Sequence, residues 1–224
     1  YSLLIEADGK RLFYTGDFRA HGRKKSLFEG LVRNPPKGID VMLTEGTTVS
    51  ANGQHRVIGA TERQVEDRLV RLFRNSNKAV FVAMSAQNID RIVSVYRACK
   101  RSDRSFVVDL YGASVARATG NPSIPQPGFP SYKVWLPHSQ RVRVFNSKQF
   151  HRVNSVRSVR VYPKGDFPQL GPNAVFLFRP SMIGAFENTG MLKGATLVWS
   201  MWDGYLEADQ GDTIRSLVKR HGMQ

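Results

Sequence analysis

A single cysteine, Cys99, occurs in the 224 residues. One thiol excludes an internal disulfide framework and any cysteine-built zinc site, and it fits a reducing, cytoplasmic compartment. Negative charge is also scarce. Eighteen Asp and Glu stand against 33 Lys and Arg, a formal charge of +15. Such an excess favours a polyanionic partner, because each neutralised phosphate releases condensed counterions; a basic but merely solvated surface is the alternative. No apolar run approaches the ~20 residues of a membrane span, and no secretory leader pattern is present, so no membrane association is expected. Histidine is sparse and scattered: of His21, His55, His138, His151 and His221, none lies within five residues of another.

What is present is ordinary globular material. Hydrophobic residues make up 41% and charged residues 23%, and the length allows one large domain or two small ones. Apolar runs alternate with helical periods. Residues 2–6 and 11–15 read as two strands joined by a turn at Asp8-Gly9, and residues 40–44 as a buried strand ending in Glu45-Gly46. Thr61 followed by Gln64 is a capping box. Behind it Val65, Leu69, Leu72 and Phe73 recur at helical spacing to about Asn75. Strands are expected at 78–84, 105–110, 133–136, 174–178 and 196–200. Helices are expected at 86–100, 139–147, 148–155 and 211–221. Cys99 falls on an apolar helix face and reads as core. Pro122, Pro125, Pro127 and Pro130 mark residues 119–131 as a loop, since each proline removes a backbone donor. The strand–helix alternation implies an α/β fold with a mostly parallel sheet flanked by helices. A strand-rich region covers 1–48 and an α/β unit 49–224, divided near a Gly/Asn/Ser-rich stretch at 48–59.

Two apolar strands end in carboxylates. Asp17 follows Tyr14-Thr15-Gly16, and Glu45 follows Leu43-Thr44. Carboxylates delivered to one sheet rim can bind a cation; a turn or helix cap is the competing role for each. Ser85 ends a strand before Gln87 and Asn88, where free backbone N–H groups can receive a phosphate; a plain N-cap fits equally. Residues 138–164 carry Arg141, Arg143, Lys148, Arg152, Arg157, Arg160 and Lys164 with no acid from 138 to 164. Phe145, Phe150 and Tyr162 interleave. Charge with aromatics can track a single strand of nucleic acid, although helical spacing favours placing these rings in the core. Arg19, Arg23, Lys24 and Lys25 form a second basic cluster after Asp17, and Arg97, Lys100, Arg101 and Arg104 a third, which can serve a helix dipole.

Tyr14-Thr15-Gly16-Asp17-Phe18-Arg19-Ala20-His21-Gly22-Arg23 resembles the fourth metal-binding motif of metallo-β-lactamase-fold nucleases of the β-CASP type, the ribonuclease J-like family. Leu43-Thr44-Glu45-Gly46-Thr47 resembles the acidic motif leading into the β-CASP domain. The segments at 80–91 and 195–206 are similar to later stretches of that domain. The resemblance implies a partial metallo-β-lactamase sandwich over 1–48 and a β-CASP-like domain over 49–224. It implies a parent enzyme that hydrolyses phosphodiester bonds with two zinc ions, most often in RNA processing, as a monomer or homo-oligomer. By resemblance, Asp17 would bridge the metals and Glu45 would support the catalytic apparatus around them, with Arg19, Arg23, Ser85, Arg141, Arg143, Lys148 and Arg152 on nucleic acid, RNA or DNA.

The sequence departs from that family in lacking His-x-His-x-Asp-His and the later histidines. The missing ligands are expected in other parts of the parent chain. A non-catalytic nucleic-acid-binding domain, or a metal hydrolase of a small molecule, are the rival functions. One carboxylate cannot hold zinc usefully where catalytic sites need about three protein ligands. The 224-residue chain is therefore expected neither to retain zinc nor to cleave RNA; metal analysis after dialysis checks this, and stoichiometric zinc refutes it.

Overall fold

A computed structural model of the chain describes residues 2–16, 20, 22–45, 59–207 and 209–224. The chain divides into two compact units, Tyr1–Val65 and Glu66–Gln224. The expected division near residue 48 falls within 46–58, outside the described residues.

The first unit is built on three strands, β1 (Leu3–Ala7), β2 (Lys10–Tyr14) and β3 (Val41–Leu43), with helix α1 (Lys25–Arg33) between β2 and β3. β1 and β2 are antiparallel, with Ala7 opposite Lys10. Asp8 and Gly9 both have positive φ, 49° and 70°, which is the conformation a two-residue hairpin matched to strand twist requires. β3 lies parallel to β2. Asp40 fixes this register at its foot: its carboxylate accepts from the Arg11 amide at 2.8 Å and from Lys10 Nζ at 2.9 Å. Those bonds, the Arg11 amide foremost, hold Asp40 below the usual carboxylate range. The sequence suggested that β3 is buried; Val41, Met42 and Leu43 are instead all exposed. An apolar strand is necessary for a buried strand but does not say what covers it.

Helix α2 (Glu62–Asn75) begins as the capping box predicts. Gln64 Oε1 accepts from the Thr61 amide at 2.9 Å, and Thr61 Oγ1 accepts from the Gln64 amide at 3.3 Å. Each side chain thereby satisfies a backbone donor that the helix start leaves free.

The second unit is organised by a five-stranded sheet: β4 (Val80–Ala83), β5 (Ser105–Asp109), β6 (Tyr132–Trp135), β7 (Ala174–Phe178) and β8 (Thr196–Trp199). The spatial order is β6-β5-β7-β4-β8, and every pairing is parallel. β4 and β7 are buried at every position, so both faces of the sheet are covered there and the strands read as unbroken apolar runs. Parallel strands need crossovers, which are supplied by α3 (Ile89–Arg101), α4 (Leu110–Ala118), α5 (His138–Ser147), α6 (His151–Asn154), α7 (Asp166–Leu170) and α8 (Ile183–Glu187); α9 (Asp209–His221) ends the chain. α4 follows β5 without an intervening residue. The Asp109 carboxylate caps it by accepting the Gly112 amide at 3.1 Å, and a Cβ at Gly112 would stand 3.1 Å from that same oxygen, so a side chain there would press on the cap.

The core is aromatic. Phe81 stacks on Phe176 at 5.4 Å and meets Phe178 and Phe186 edge-on; Phe167 and Trp135 also pack on Phe186. Such pairs add about 0.5–1.5 kcal/mol each beyond burial. Cys99 is buried as expected, and burial pushes its thiol well above the ordinary range. Arg104 is buried too, and burial lowers its pKa; it donates to the carbonyls of Lys78, at 3.0 Å, and Ser76. Among the described residues no helix is long and apolar enough to cross a membrane.

Phe81→Ala should cost about 3–5 kcal/mol of stability, read from a denaturant midpoint, because a well-packed site cannot collapse around the void. Cys99 should stay unlabelled by a thiol reagent at about pH 8, below the ordinary thiol value, until denaturant is added. Because its folded pKa is raised, the stability tied to the protonated thiol is complete below the unfolded value of about 8.5 and declines as pH rises above it.

Candidate nucleic-acid interface

α5 and α6 follow β6, and most of their side chains face water. α5 has one buried residue, Val144, with Gln140 half-buried one turn before it. Arg141, Arg143 and Lys148 are exposed, and their side chains have no ion-pair partner among the described residues. Arg152 on α6 is held more firmly: it donates to Gln149 Oε1 at 3.2 Å and to Ser114 Oγ at 3.0 Å. Lys148 ends α5 in the left-handed region, φ 55°, which turns the chain into α6.

The rings in this stretch are not core. Phe145 is 71% exposed, Phe150 49% and Tyr162 53%. Helical spacing is a poor guide here because it presumes a covered face, and only Val144 of α5 is covered. Phe145 and Phe150 meet edge-on, 6.4 Å between centroids. Arg160 lies 4.9 Å above the Tyr162 ring. Bare phenylalanines cost hydration free energy, and two of them kept together in a stretch of chain that also carries four cations form a surface suited to a ligand with flat faces and negative charge. A second exposed ring pair, Trp202 (62%) and Tyr205 (48%), lies 5.4 Å apart after β8.

The carboxyl ends of β4, β5 and β7 carry a polar network that sequence reading did not single out. Asp109, fully buried, ends β5. One of its oxygens caps α4; the other accepts from Arg179, which follows β7, and from the side-chain amide of Gln140 on α5. Gln140 Oε1 accepts from the Tyr111 amide at 3.0 Å. The Arg179 guanidinium stands 5.4 Å from the centre of the Tyr111 ring, and the Tyr111 hydroxyl accepts from Gln87 Nε2 at 3.0 Å. A signal was available in the run Phe106-Val107-Val108-Asp109: an acid closing an apolar parallel strand is seldom left bare. Ser85 is exposed just before this network, and its hydroxyl accepts from the Gln87 amide at 3.2 Å. It is not the N-cap of α3; Asn88 is, accepting from the Arg91 amide at 3.1 Å.

The remaining basic clusters divide. Arg101 pairs with Glu66 at 3.0 Å and Asp67 at 2.7 Å, and Arg104 is buried, so this cluster has structural partners beyond the helix dipole. Arg23 is described; Arg19 and His21 lie outside the described residues.

In the first unit, Asp17 also lies outside the described residues. Its neighbour Gly16 and Glu45 each lie two residues beyond the ends of adjacent parallel strands, and the chain there is tied together: the Thr15 amide donates to the Leu43 carbonyl at 3.0 Å, and Thr15 Oγ1 to Thr44 Oγ1 at 3.1 Å. Among the described residues no group of three His, Cys, Asp or Glu could hold a metal ion. The chain's own described donors therefore do not fit a zinc site by themselves.

No protein-family model and no curated protein matches the chain. A crystal structure of a protein of unknown function from Enterococcus faecalis V583 is similar in fold, with a TM-score of 0.65 at 16% identity, over 99% of this chain and 47% of that one. At that identity the likeness concerns the fold alone, and this chain spans about half the length of that protein.

Proposed function

We propose that the chain is part of a metal-dependent phosphodiesterase acting on RNA, and that its larger unit supplies the surface that holds the RNA. The observation that carries the binding half is the exposed Phe145–Phe150 pair beside Arg141, Arg143, Lys148 and Arg152. Bases stack on the rings and the cations follow the phosphates. Ser85 and Arg23 are candidate further phosphate contacts, and Arg19 belongs with them by sequence.

The hydrolytic half rests on resemblance. Asp17 would be the metal-bridging carboxylate and Glu45 its supporting acid. The tied ends of β2 and β3 support this pairing, since they bring the residues bordering both motifs to one edge. Zinc, when held by ligands from other parts of the parent chain together with Asp17, supplies Lewis-acid activation of a phosphodiester. A partial metallo-β-lactamase sandwich accounts for the first unit: its three strands carry apolar side chains in water, as one layer of a two-sheet core would without its partner. A nucleic-acid-binding protein with no catalysis is the second reading, favoured by the missing ligands.

Fluorescence anisotropy with a short single-stranded RNA tests the binding half. Each of Phe145→Ala and Phe150→Ala should weaken binding by about 1–3 kcal/mol, the usual worth of a base–ring stack. Replacing Arg141 and Arg143 with Gln should flatten the salt dependence by about 0.7 per lost phosphate contact. Absence of salt-dependent binding to wild type at low salt overturns the proposal. Equal affinity for single-stranded DNA would reassign the substrate class without moving the surface.

A further inference from the structure

α5 carries Arg141, Arg143 and Phe145, yet little holds it in place. Its N-terminal flank, Pro137, offers no side-chain cap, and its first turn has no acid. Its inward side consists of Val144, buried, and Gln140, one turn earlier on the same side. Gln140 is thus the polar fastening of the helix, and both ends of its amide are used: the nitrogen on Asp109, the oxygen on the Tyr111 backbone. Asp109 in turn is fully buried, bonded to Gly112 at 3.1 Å and paired with Arg179. Its position is fixed by β5, α4 and the residue after β7, none of them part of α5. A side chain that docks on it takes its orientation from the sheet.

We infer that Gln140 is a positioning residue for RNA: its amide, clasped between Asp109 and the Tyr111 amide, sets the direction in which α5 presents Arg141 and Phe145. These two residues are i,i+4 neighbours on the exposed side of the helix, so a small roll of α5 moves both the charge and the ring away from a strand that also contacts α6. The inference rests on the proposed RNA surface and adds to it what aims that surface. Gln140 itself touches no nucleic acid.

The test uses the whole 224-residue chain, a single-stranded RNA with 2-aminopurine at one position, and four variants. Gln140→Ala removes the clasp. Gln140→Glu keeps its shape and its bond to Tyr111 but sets a carboxylate against Asp109. Asp109→Asn opposes two amide donors. The double variant Asp109→Asn with Gln140→Glu restores a donor facing an acceptor between these two positions, with the roles exchanged, while Arg179 loses its carboxylate partner. Hydrogen bonds to charged groups are stronger than those between neutral ones. Gln140→Ala and Gln140→Glu should therefore each weaken RNA binding by about tenfold, flatten the salt slope and reduce 2-aminopurine quenching; Gln140→Glu, which turns a carboxylate toward buried Asp109, should also lower the thermal midpoint, so binding is compared at a temperature where every variant is folded. The double variant should bind RNA more tightly than either of its single variants, as coupled partners do in a mutant cycle, and less tightly than wild type because Arg179 has lost its carboxylate.

Folded Gln140→Ala and Gln140→Glu proteins with wild-type affinity, slope and quenching overturn the inference, even if Asp109→Asn fails to fold. If those variants bind normally while Phe145→Ala does not, the RNA surface stands and its positioning by Gln140 falls. If wild type binds no RNA, the proposed function falls first.

Discussion

Parallel pairing of β4 through β8 is the constraint from which the larger unit follows. Parallel strands cannot be joined by hairpins, so each connection must leave the sheet, and the helices that result cover its faces. Covered on both sides, β4 and β7 can be wholly apolar, and the phenylalanines of Val80–Ala83 and Ala174–Phe178 become the centre of the core. The same pairing sends every strand's carboxyl end to one edge. Residues distant in sequence, Gln87, Asp109, Tyr111, Gln140 and Arg179, meet there because the topology leaves no other place for strand ends and the helices that follow them.

Positive charge is used in two ways, and burial separates them. Arg104 is enclosed and Arg179 largely so, and both donate to carbonyls or to Asp109. Arg101 is matched by two carboxylates. These cations serve the fold. Arg141, Arg143 and Lys148 stand in water without ion-pair partners among the described residues, beside rings that are also in water. Surface ion pairs contribute at most about 1 kcal/mol, so leaving these cations unmatched loses little stability, and it leaves them free for a phosphate backbone. The net charge of +15 alone could not make that division.

How much could be read from the sequence depended on whether a signal was local. The Asp8-Gly9 hairpin, the Thr61–Gln64 capping box and the run Ala174–Phe178 were legible because each is set by neighbours in the chain. α4 was not, because it begins on the residue after β5 with Gly112 in its first turn, and its cap, Asp109, looks like the last residue of a strand. α1 and the short helices α7 and α8 were likewise unmarked. The rings of Phe145 and Phe150 were misplaced for the opposite reason: a helical period was legible, but whether anything lies against that face is a tertiary fact. Of the candidate site, the cations were visible as an acid-free stretch, while the Asp109–Gln140–Arg179 network joins residues up to 70 apart and has no sequence signature.

The first unit presents the converse case, apolar surface whose partner is not among its own strands. Register puts Leu3, Ile5, Leu12, Tyr14, Val41 and Leu43 on one side of the three-stranded sheet, and Leu3, Ile5, Tyr14, Val41 and Leu43 are each about half exposed. The other side carries Leu4, Phe13 and Met42, of which only Phe13 is buried. A sheet that is polar on one side can face water there; one that is apolar on both is ordinarily an inner layer. At roughly 25 cal/mol per Å² of apolar surface, covering such a side is worth several kcal/mol, comparable to the whole stability of a small domain. Exposed apolar side chains on both sides therefore leave this three-stranded sheet without the cover that such a pattern ordinarily has. The hydrogen bonds that tie the ends of β2 and β3 lie at the edge of a sheet whose apolar sides its own strands leave uncovered.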